Sequence, residues 1–305
     1  MRIGVFFDQP MSPGEAVQQI VQAEQDGFDS VWLANIFAAD ALVVLALAGA
    51  RTSRIELGAS VVPVYGRHPF ALAQQALTAQ AAANGRLALG VGLSHQIVVE
   101  AMWGLSYDKP AAYMREYLSV LGPLLCGEPA RHTGERFRVN AGLLVPGATK
   151  PALLIAALAP VMLRIAGGLT DGTITWMTGI KALETHVVPT IGKAAKAAGR
   201  PQPRVVAGLP IAVTEDVAAA REAAAKVFQV YGQLPNYQRA LKRSGAASPA
   251  DVALVGSEAE VERQVRAVAS AGATDFAAVI YPAGDDPAAS VARTRALVHS
   301  LIGKV

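Results

Sequence analysis

Short apolar stretches rich in β-branched residues alternate with longer alanine-rich stretches along the whole chain. The short stretches have the length and composition of buried strands, and the longer ones are typical of helices. Such alternation indicates a parallel sheet whose strands are joined by crossover helices. Eight repeats of this unit favour an α/β fold closed into a (β/α)8 TIM barrel over an open sheet. The strands are predicted at 3–7, 30–33, 55–62, 87–92, 153–157, 172–176, 205–213 and 276–281, and the helices at 14–26, 40–50, 70–84, 111–126, 160–169, 181–198, 217–241 and 287–302.

Two insertions interrupt the repeating unit. Turn-forming sequence within 131–149 predicts a short hairpin before the fifth strand. In the seventh crossover, Pro235 and Pro249 break the helical stretch. Ser257, with Glu260 three residues later, has the spacing of a capping box, so a further helix should begin there. With no other change of composition along the chain, residues 1–305 are expected to form a single barrel domain.

Two of the predicted helices lack a charged outer face. After Asp40 the helix 40–50 is entirely apolar or small, and the helix 70–84 carries only glutamine, threonine and asparagine among its alanines. A helix packed on a barrel normally keeps one polar side toward water. We therefore expect these two helices to form a homodimer contact. The alternative is that insertions of the same chain pack over them.

Composition limits the environment and the ligands. Hydrophobic residues make up 52% of the 305 and charged residues 17%, which predicts a folded globular chain. No apolar run approaches the ~20 residues of a membrane span, and the amino terminus lacks a secretory signal pattern, so a cytoplasmic location is expected. The net charge of +3 is scattered, which favours a small-molecule ligand over nucleic acid. The single cysteine, Cys126, excludes an internal disulfide and is expected to be buried and inert.

Few ionisable residues follow the predicted strands, where the site of a parallel barrel lies. The chain shows no Ser-His-Asp order, no HExxH pair, no lysine at a strand end and no paired carboxylates. Hydrolase, metalloprotease, aldolase and glycosidase activities therefore have little support, and no metal site is expected. Backbone amides, small side chains and Trp176 suit a bound cofactor that supplies the reactivity. A ligand-binding barrel without catalysis is the alternative.

The turn after the fifth strand has features of a phosphate site. Ala157, Leu158 and Ala159 precede Pro160, which fits the first position of a helix because proline has no N–H to lose there. Small side chains would let a phosphate approach the free amides at the positive end of the helix dipole. An ordinary strand-to-helix turn has the same appearance in sequence.

Several spaced motifs carry a family resemblance. They read GASVVP at 58–63, RHP at 67–69, GRLALGVG at 85–92, GFDSVW at 27–32 and PVMLRIAG at 160–167. In this order they resemble the luciferase-like monooxygenase superfamily over nearly the whole chain. The motifs of the third and fourth strands are most similar to the branch that uses the deazaflavin coenzyme F420 rather than FMN.

The resemblance implies a barrel with the deazaflavin across the strand ends, where hydride transfer occurs at its central ring. It implies a non-proline cis peptide at Ser60-Val61 behind the ring, phosphate contacts at Leu158 and Ala159, and a ring edge flanked by Leu93, Ser94 and His95. The cofactor-binding residues expected on these grounds are Ser60, Val61, Leu93, Ser94, Ala157, Leu158, Ala159 and Trp176.

The sequence departs from this branch after the second strand. Related deazaflavin enzymes often have an Asp-His pair there, whereas this chain has Asn35 followed by Ile36. Asn35 can donate a hydrogen bond to the substrate or the ring but cannot shuttle a proton. His95 is the predicted proton donor, because its position matches an acidic group of some relatives and its imidazole titrates near neutral pH.

The predicted activity is hydride transfer between coenzyme F420 and a small, largely apolar substrate, with reduction of C=C or C=N bonds favoured over alcohol oxidation. An FMN-dependent luciferase-like monooxygenase is the alternative, and a non-catalytic flavin or ligand binder is the second alternative.

The remaining expectations are a helix cap at His68, surface positions for His132, His186 and His299, a pocket wall at Met177, and rim positions for Asp8, Tyr65 and Tyr281.

Overall fold

A computed structural model describes residues 1–305. Each predicted barrel strand is present, with its ends within one residue of the expected positions. The hairpin predicted before the fifth barrel strand is also present. The strands are β1 (Arg2–Phe7), β2 (Ser30–Leu33), β3 (Glu56–Pro63), β4 (Leu87–Gly92), β5 (Ala130–Thr133), β6 (Arg138–Ala141), β7 (Ala152–Ala156), β8 (Gly172–Trp176), β9 (Arg204–Val213), β10 (Leu254–Gly256) and β11 (Asp275–Ile280).

Eight parallel strands close into a barrel in the order β9, β11, β1, β2, β3, β4, β7, β8, and β8 pairs back with β9. These strands are apolar on both faces because one face fills the barrel interior and the other packs against helices. The short strand β10 adds to the end of β9, and β5 with β6 forms the separate antiparallel hairpin. The predicted (β/α)8 barrel is confirmed.

Helices surround the barrel, and the local sequence explains where several of them begin. At α1, the Ser12 hydroxyl and the Glu15 carboxylate form a reciprocal capping box. The helices are α1 (Pro13–Gln25), α2 (Ala41–Gly49), α3 (Pro69–Ala82), α4 (Pro110–Leu125), α5 (Pro160–Leu169), α6 (Ile180–Ala182), α7 (Val188–Ala197), α8 (Val217–Val227), α9 (Gln229–Gln233), α10 (Pro235–Ser244), α11 (Glu258–Ser270) and α12 (Pro287–Ser300).

Two of the predicted long helices are interrupted. The helix expected at 181–198 contains a π-helical turn, Leu183–Val187, between α6 and α7. The helix expected at 217–241 is divided into α8, α9 and α10, with Pro235 beginning the last of them. A further π-helical turn, Val98–Met102, follows β4. The break before Pro235 was expected from the proline, whereas the π-helical turns and the division between α8 and α9 were not, because such irregularities depend on tertiary packing as much as on local sequence.

Two local predictions were wrong. The helix α11 begins where expected, but Ser257 makes no capping hydrogen bond, and Glu260 instead pairs with Arg263 at 3.0 Å. Cys126 is exposed rather than buried, because it follows the last residue of α4, where the chain leaves the core.

The amino ends of the barrel strands are joined by an ionic network. Asp275, only 1% exposed, lies 2.6 Å from the Arg204 guanidinium, which also contacts Glu56 at 2.9 Å. These residues begin β11, β9 and β3, so the network ties together the end of the barrel that usually serves stability rather than catalysis.

No helix of the structure combines the length and hydropathy that crossing a bilayer requires.

Candidate active site

Most of the predicted site residues lie together at the carboxyl ends of the barrel strands. Asn35 follows β2, Leu93 to His95 follow β4, Ala157 to Ala159 follow β7, and Trp176 ends β8. Because the strands are parallel, these positions share one end of the barrel, opposite the ionic network.

The turn between β7 and α5 presents backbone amides that have no acceptor in the protein. The N–H groups of Ala157, Leu158, Ala159, Val161 and Met162 all lack a hydrogen-bond partner. Ala159 occupies the N-cap position of α5 and has no side chain that could accept from the first turn. Free amides at the positive end of a helix dipole form a ready anion site.

The turn after the neighbouring strand has the same property. The amides of Leu93, Ser94 and His95 also have no acceptor in the protein. Ser94 has a left-handed backbone with φ 58°, a conformation that non-glycine residues adopt rarely and that is enriched at functional sites. Because β4 and β7 are adjacent and parallel in the barrel, the two turns with unpaired N–H groups follow neighbouring strands at the same end.

The third barrel strand is irregular at the predicted cofactor position. The pairing of β3 with β4 shifts register between Ala59 and Val62, so that Ser60 and Val61 leave the ladder. The Ser60-Val61 peptide is cis, as the resemblance implied. The Val61 side chain packs against β4 so closely that a Cβ on Gly92 would lie 2.5 Å from it. This contact explains why the fourth-strand motif ends in glycine.

Trp176 lies within an aromatic cluster at the end of β8. Its ring is 5.6 Å from that of Phe6, 5.8 Å from Phe228 and 5.6 Å from Tyr231, in edge-to-face arrangements. The indole Nε1 is buried without a hydrogen-bond partner. Met177, which follows it, is fully buried with φ 54° and packs in the core rather than facing a ligand.

A tyrosine that the sequence did not indicate lies beside His95. Tyr237 on α10 lies 5.7 Å from the His95 ring and 5.1 Å from the ring of Tyr231 on α9. Burial lowers the pKa of His95 and raises that of Tyr237. The one sequence feature close to this arrangement was Pro235, which begins α10.

Asp8 is the acidic group at the end of β1. Burial raises the pKa of its carboxyl, although a hydrogen bond from Gln9 opposes the shift. Burial, followed by the charge of Asp8, raises the pKa of Tyr231 to about 12. At neutral pH the Tyr231 phenol is therefore a neutral hydrogen-bond donor close to the Asp8 carboxyl.

The Asn35 side chain supports a helix. Its Oδ1 accepts a hydrogen bond of 2.9 Å from the amide of Ala41, while Asp40 accepts from the amides of Leu42 and Val43. The oxygen of Asn35 thus supports the first turn of α2, and its amide nitrogen remains free to donate a hydrogen bond to a ligand.

Two of the histidine predictions were right and two were wrong. His68 caps α3 through Nδ1, which accepts from the Phe70 amide at 3.2 Å, and His299 is exposed. His132 is instead partly buried and paired with Glu116 at 3.3 Å. His186 is half-buried, with Nε2 3.0 Å from the Leu158 carbonyl oxygen.

Two tyrosines predicted at the rim are packed in the interior. Tyr281 is 2% exposed and donates from its hydroxyl to the Ala220 carbonyl at 3.2 Å. Tyr65 is 4% exposed and stacks on Tyr113 with ring centroids 4.3 Å apart. The rim prediction failed because position after a strand does not reveal whether a side chain turns toward the mouth or toward the surrounding helices.

Similar proteins are known both by sequence and by fold. A Mycobacterium tuberculosis protein named as a coenzyme F420-dependent oxidoreductase is 31% identical over 186 residues, 56% of this chain and 53% of that relative. The match therefore spans about half the length of that relative. The 5,10-methylenetetrahydromethanopterin reductase of Archaeoglobus fulgidus is 30% identical over 263 residues, 82% of this chain and 75% of the relative.

Solved structures share the barrel over its full extent. The coenzyme F420-dependent tetrahydromethanopterin reductase of Methanopyrus kandleri has a TM-score of 0.78 at 21% identity, covering 100% of this chain and 98% of its own. The oxygenating constituent of 3,6-diketocamphane monooxygenase from Pseudomonas putida, in complex with FMN, has a TM-score of 0.78 at 18% identity, covering 100% and 97%. These similarities establish the fold.

The family is established independently by sequence. A family model described as luciferase-like monooxygenase matches residues 1–301, almost the entire chain. Together with the closed parallel barrel, this match shows that the chain belongs to the luciferase-like monooxygenase family of enzymes.

Proposed function

We propose that this protein is a coenzyme F420-dependent oxidoreductase that transfers a hydride between the deazaflavin and a small, largely apolar substrate. The observation that carries the proposal is the pair of adjacent turns, after β4 and after β7, whose amides have no acceptor in the protein. The amides after β7 fit the phosphate of a flavin-type cofactor, and those after β4 are free to donate to the ring edge or its side chain. The names of the sequence relatives favour the deazaflavin over FMN, whose phosphate the same amides could bind.

The cofactor roles proposed for individual residues follow from their positions. Ala157, Leu158 and Ala159 would bind the phosphate through main-chain N–H groups, with their small or outward side chains leaving the approach open. Ser60 and Val61, which leave the β3 ladder, would support the ring. Leu93, Ser94 and Trp176 would flank it. When bound, the deazaflavin supplies the hydride acceptor or donor, so the protein need only bind and orient the two reactants.

The protonation steps are assigned to the few polar groups at the carboxyl ends of the barrel strands. His95 would give a proton to the substrate in the reducing direction or accept one in the oxidising direction. Burial beside Tyr237 lowers the pKa of its imidazole. Asn35, through its remaining amide nitrogen, would orient the substrate or the ring by donating a hydrogen bond.

The walls around these groups favour an apolar substrate. Trp176 is half-buried at the end of β8 in edge-to-face contact with Phe6, and the half-buried Tyr231 adds a hydroxyl that stays protonated at neutral pH. A reducible C=C or C=N bond in an apolar molecule matches these walls better than a sugar phosphate does. Within this class of apolar substrates we propose reduction of such a bond rather than alcohol oxidation.

A titration with two cofactors tests the proposal. The purified protein is titrated separately with oxidised coenzyme F420 and with FMN, and binding is followed by fluorescence quenching. Tighter binding of F420, followed by oxidation of reduced F420 in the presence of enones, imines or quinones, is the expected result. Tight FMN binding with no response to F420 would instead indicate the FMN-dependent monooxygenase. F420 binding with no turnover on the whole panel would indicate a non-catalytic binder.

We further propose that the chain acts as one barrel domain per subunit, 1–305, in a cytoplasmic homodimer. The support is the outer surface of α2, where Val43 is 57% and Leu47 is 51% exposed. The outer face of the adjacent α3 carries alanine, glutamine and threonine but no charge. Uncharged neighbouring helices of this kind are suited to pack against a second copy around a twofold axis.

A further inference from the structure

We propose that His186 is a positioning residue for the phosphate turn between β7 and α5, an inference that rests on the proposed function. The observation is the contact of 3.0 Å between His186 Nε2 and the carbonyl oxygen of Leu158. A carbonyl oxygen can only accept a hydrogen bond, so Nε2 must carry the proton in this contact.

The geometry of a peptide unit converts this contact into an orientation. The Leu158-Ala159 peptide is trans, because the one cis bond in the chain is at Ser60-Val61. In a trans peptide the C=O and the following N–H point in opposite directions. By holding the Leu158 carbonyl on its own side, His186 therefore directs the Ala159 N–H away from itself. That N–H is among the amides left without an acceptor.

The same contact removes an unfavourable group from the site. A carbonyl oxygen carries partial negative charge, so a Leu158 C=O free to rotate toward an anion would repel it. No amide of α5 donates to the Leu158 oxygen, because the Met162 N–H makes no bond to it. The Leu158 oxygen therefore accepts a hydrogen bond from His186 alone.

Two further features indicate that His186 is held in place. It lies in the π-helical turn Leu183–Val187, and such turns occur frequently at functional sites. The helix that follows, α7, packs tightly on α5, since a Cβ on Gly167 would collide with the Ile191 carbonyl oxygen. The helix α5 is thus packed against α7, and the turn that precedes α5 is held by the His186 imidazole.

The test compares ligands that differ by the phosphate-bearing side chain. Dissociation constants are measured by fluorescence quenching for coenzyme F420 and for its phosphate-free riboside, with wild type, His186→Leu, His186→Gln and the exposed control His299→Gln. His186→Leu should weaken F420 binding about tenfold, through the loss of one partly buried hydrogen bond, and leave the riboside affinity nearly unchanged. His186→Gln, whose amide can still donate, should restore most of the affinity, and the control should match wild type.

The outcomes separate this inference from the proposed function. Equal weakening of both ligands, or of neither, overturns the role of His186 while leaving the F420 assignment intact. A wild type that binds FMN but not F420 overturns the cofactor assignment, and FMN with riboflavin then provides the same phosphate comparison for His186. Binding of none of these ligands overturns both.

Discussion

The His95 imidazole faces the Tyr237 ring at 5.7 Å, so a residue of the β4 turn is covered by a helix from the seventh crossover. Burial lowers the His95 pKa below its ordinary value of about 6.5. If the imidazolium is the proton donor, the rate of substrate reduction should fall as pH rises through this lowered pKa. His95→Ala should reduce turnover on the order of 100-fold with little effect on F420 affinity.

Tyr237 offers a matched pair of variants for this assignment. Tyr237→Ala admits water to His95 and should move the descending limb of the pH–rate profile upward, toward the ordinary histidine pKa. Tyr237→Phe keeps the ring and should leave the profile in place. An NMR titration of the His95 ring protons gives the pKa directly. A profile that stays fixed in both variants while the measured pKa moves would remove His95 as the donor.

Asn35 is expected to have a measurable structural role besides any contact with a ligand. Asn35→Ala removes the acceptor for the Ala41 amide and should lower the free energy of unfolding by about 1 kcal/mol, measured by urea denaturation. Asn35→Asp keeps an acceptor at the helix amino terminus and should retain stability. If Asn35→Asp is also fully active, the Asn35 amide nitrogen has no part in catalysis, because aspartate lacks that donor.

Ala159 allows the phosphate turn to be blocked without damage to the fold. Aspartate is a favourable N-cap, and in Ala159→Asp its carboxylate can accept from the free amides of Val161 and Met162. The variant should be more stable than wild type by up to about 1 kcal/mol in urea denaturation, and its F420 affinity should fall because the carboxylate occupies the amides and repels the phosphate. Ala159→Ser, an uncharged cap, should impair binding less.

The phosphate-free riboside serves as the control ligand for Ala159→Asp. It should bind wild type and variant alike, since it places no anion at the turn. Unchanged F420 affinity in a stabilised Ala159→Asp protein would show that the phosphate is bound elsewhere.

The sequence predicted the barrel because its signals are local. Composition and local motifs identify each element by itself, as in the apolar strand 87–92 and the helix 160–169, which begins with proline. The closure of the barrel then follows from the repetition of eight such units. The irregularity at Ser60-Val61 was predicted only through the family motif, since nothing in GASVVP separates it from an ordinary strand end.

The missed site residues depend on contacts between distant segments. Tyr237 and His95 are 142 positions apart in sequence. They come into contact because α9 ends before Pro235 and a separate helix, α10, carries Tyr237 to the turn after β4. His186 reaches Leu158 from a π-helical turn that the apolar periodicity did not mark. Asn35 was correctly placed after a strand. The hydrogen bond from the Ala41 amide to its oxygen could not be predicted, because it depends on the exact path of the loop between them.

The exposed side of α2 predicts the oligomeric state. In sedimentation velocity at micromolar concentration, the wild type should have twice the 31.7 kDa chain mass. The double variant Val43→Glu with Leu47→Glu places like charges at the proposed twofold contact and should sediment as a monomer with an unchanged far-UV spectrum, because both side chains already face outward. The control is Val227→Glu on α8, also about half exposed at 47% but distant in sequence from these helices, which should remain dimeric. A monomeric wild type, or a double variant that keeps the dimer mass, would show that these helices are not the contact.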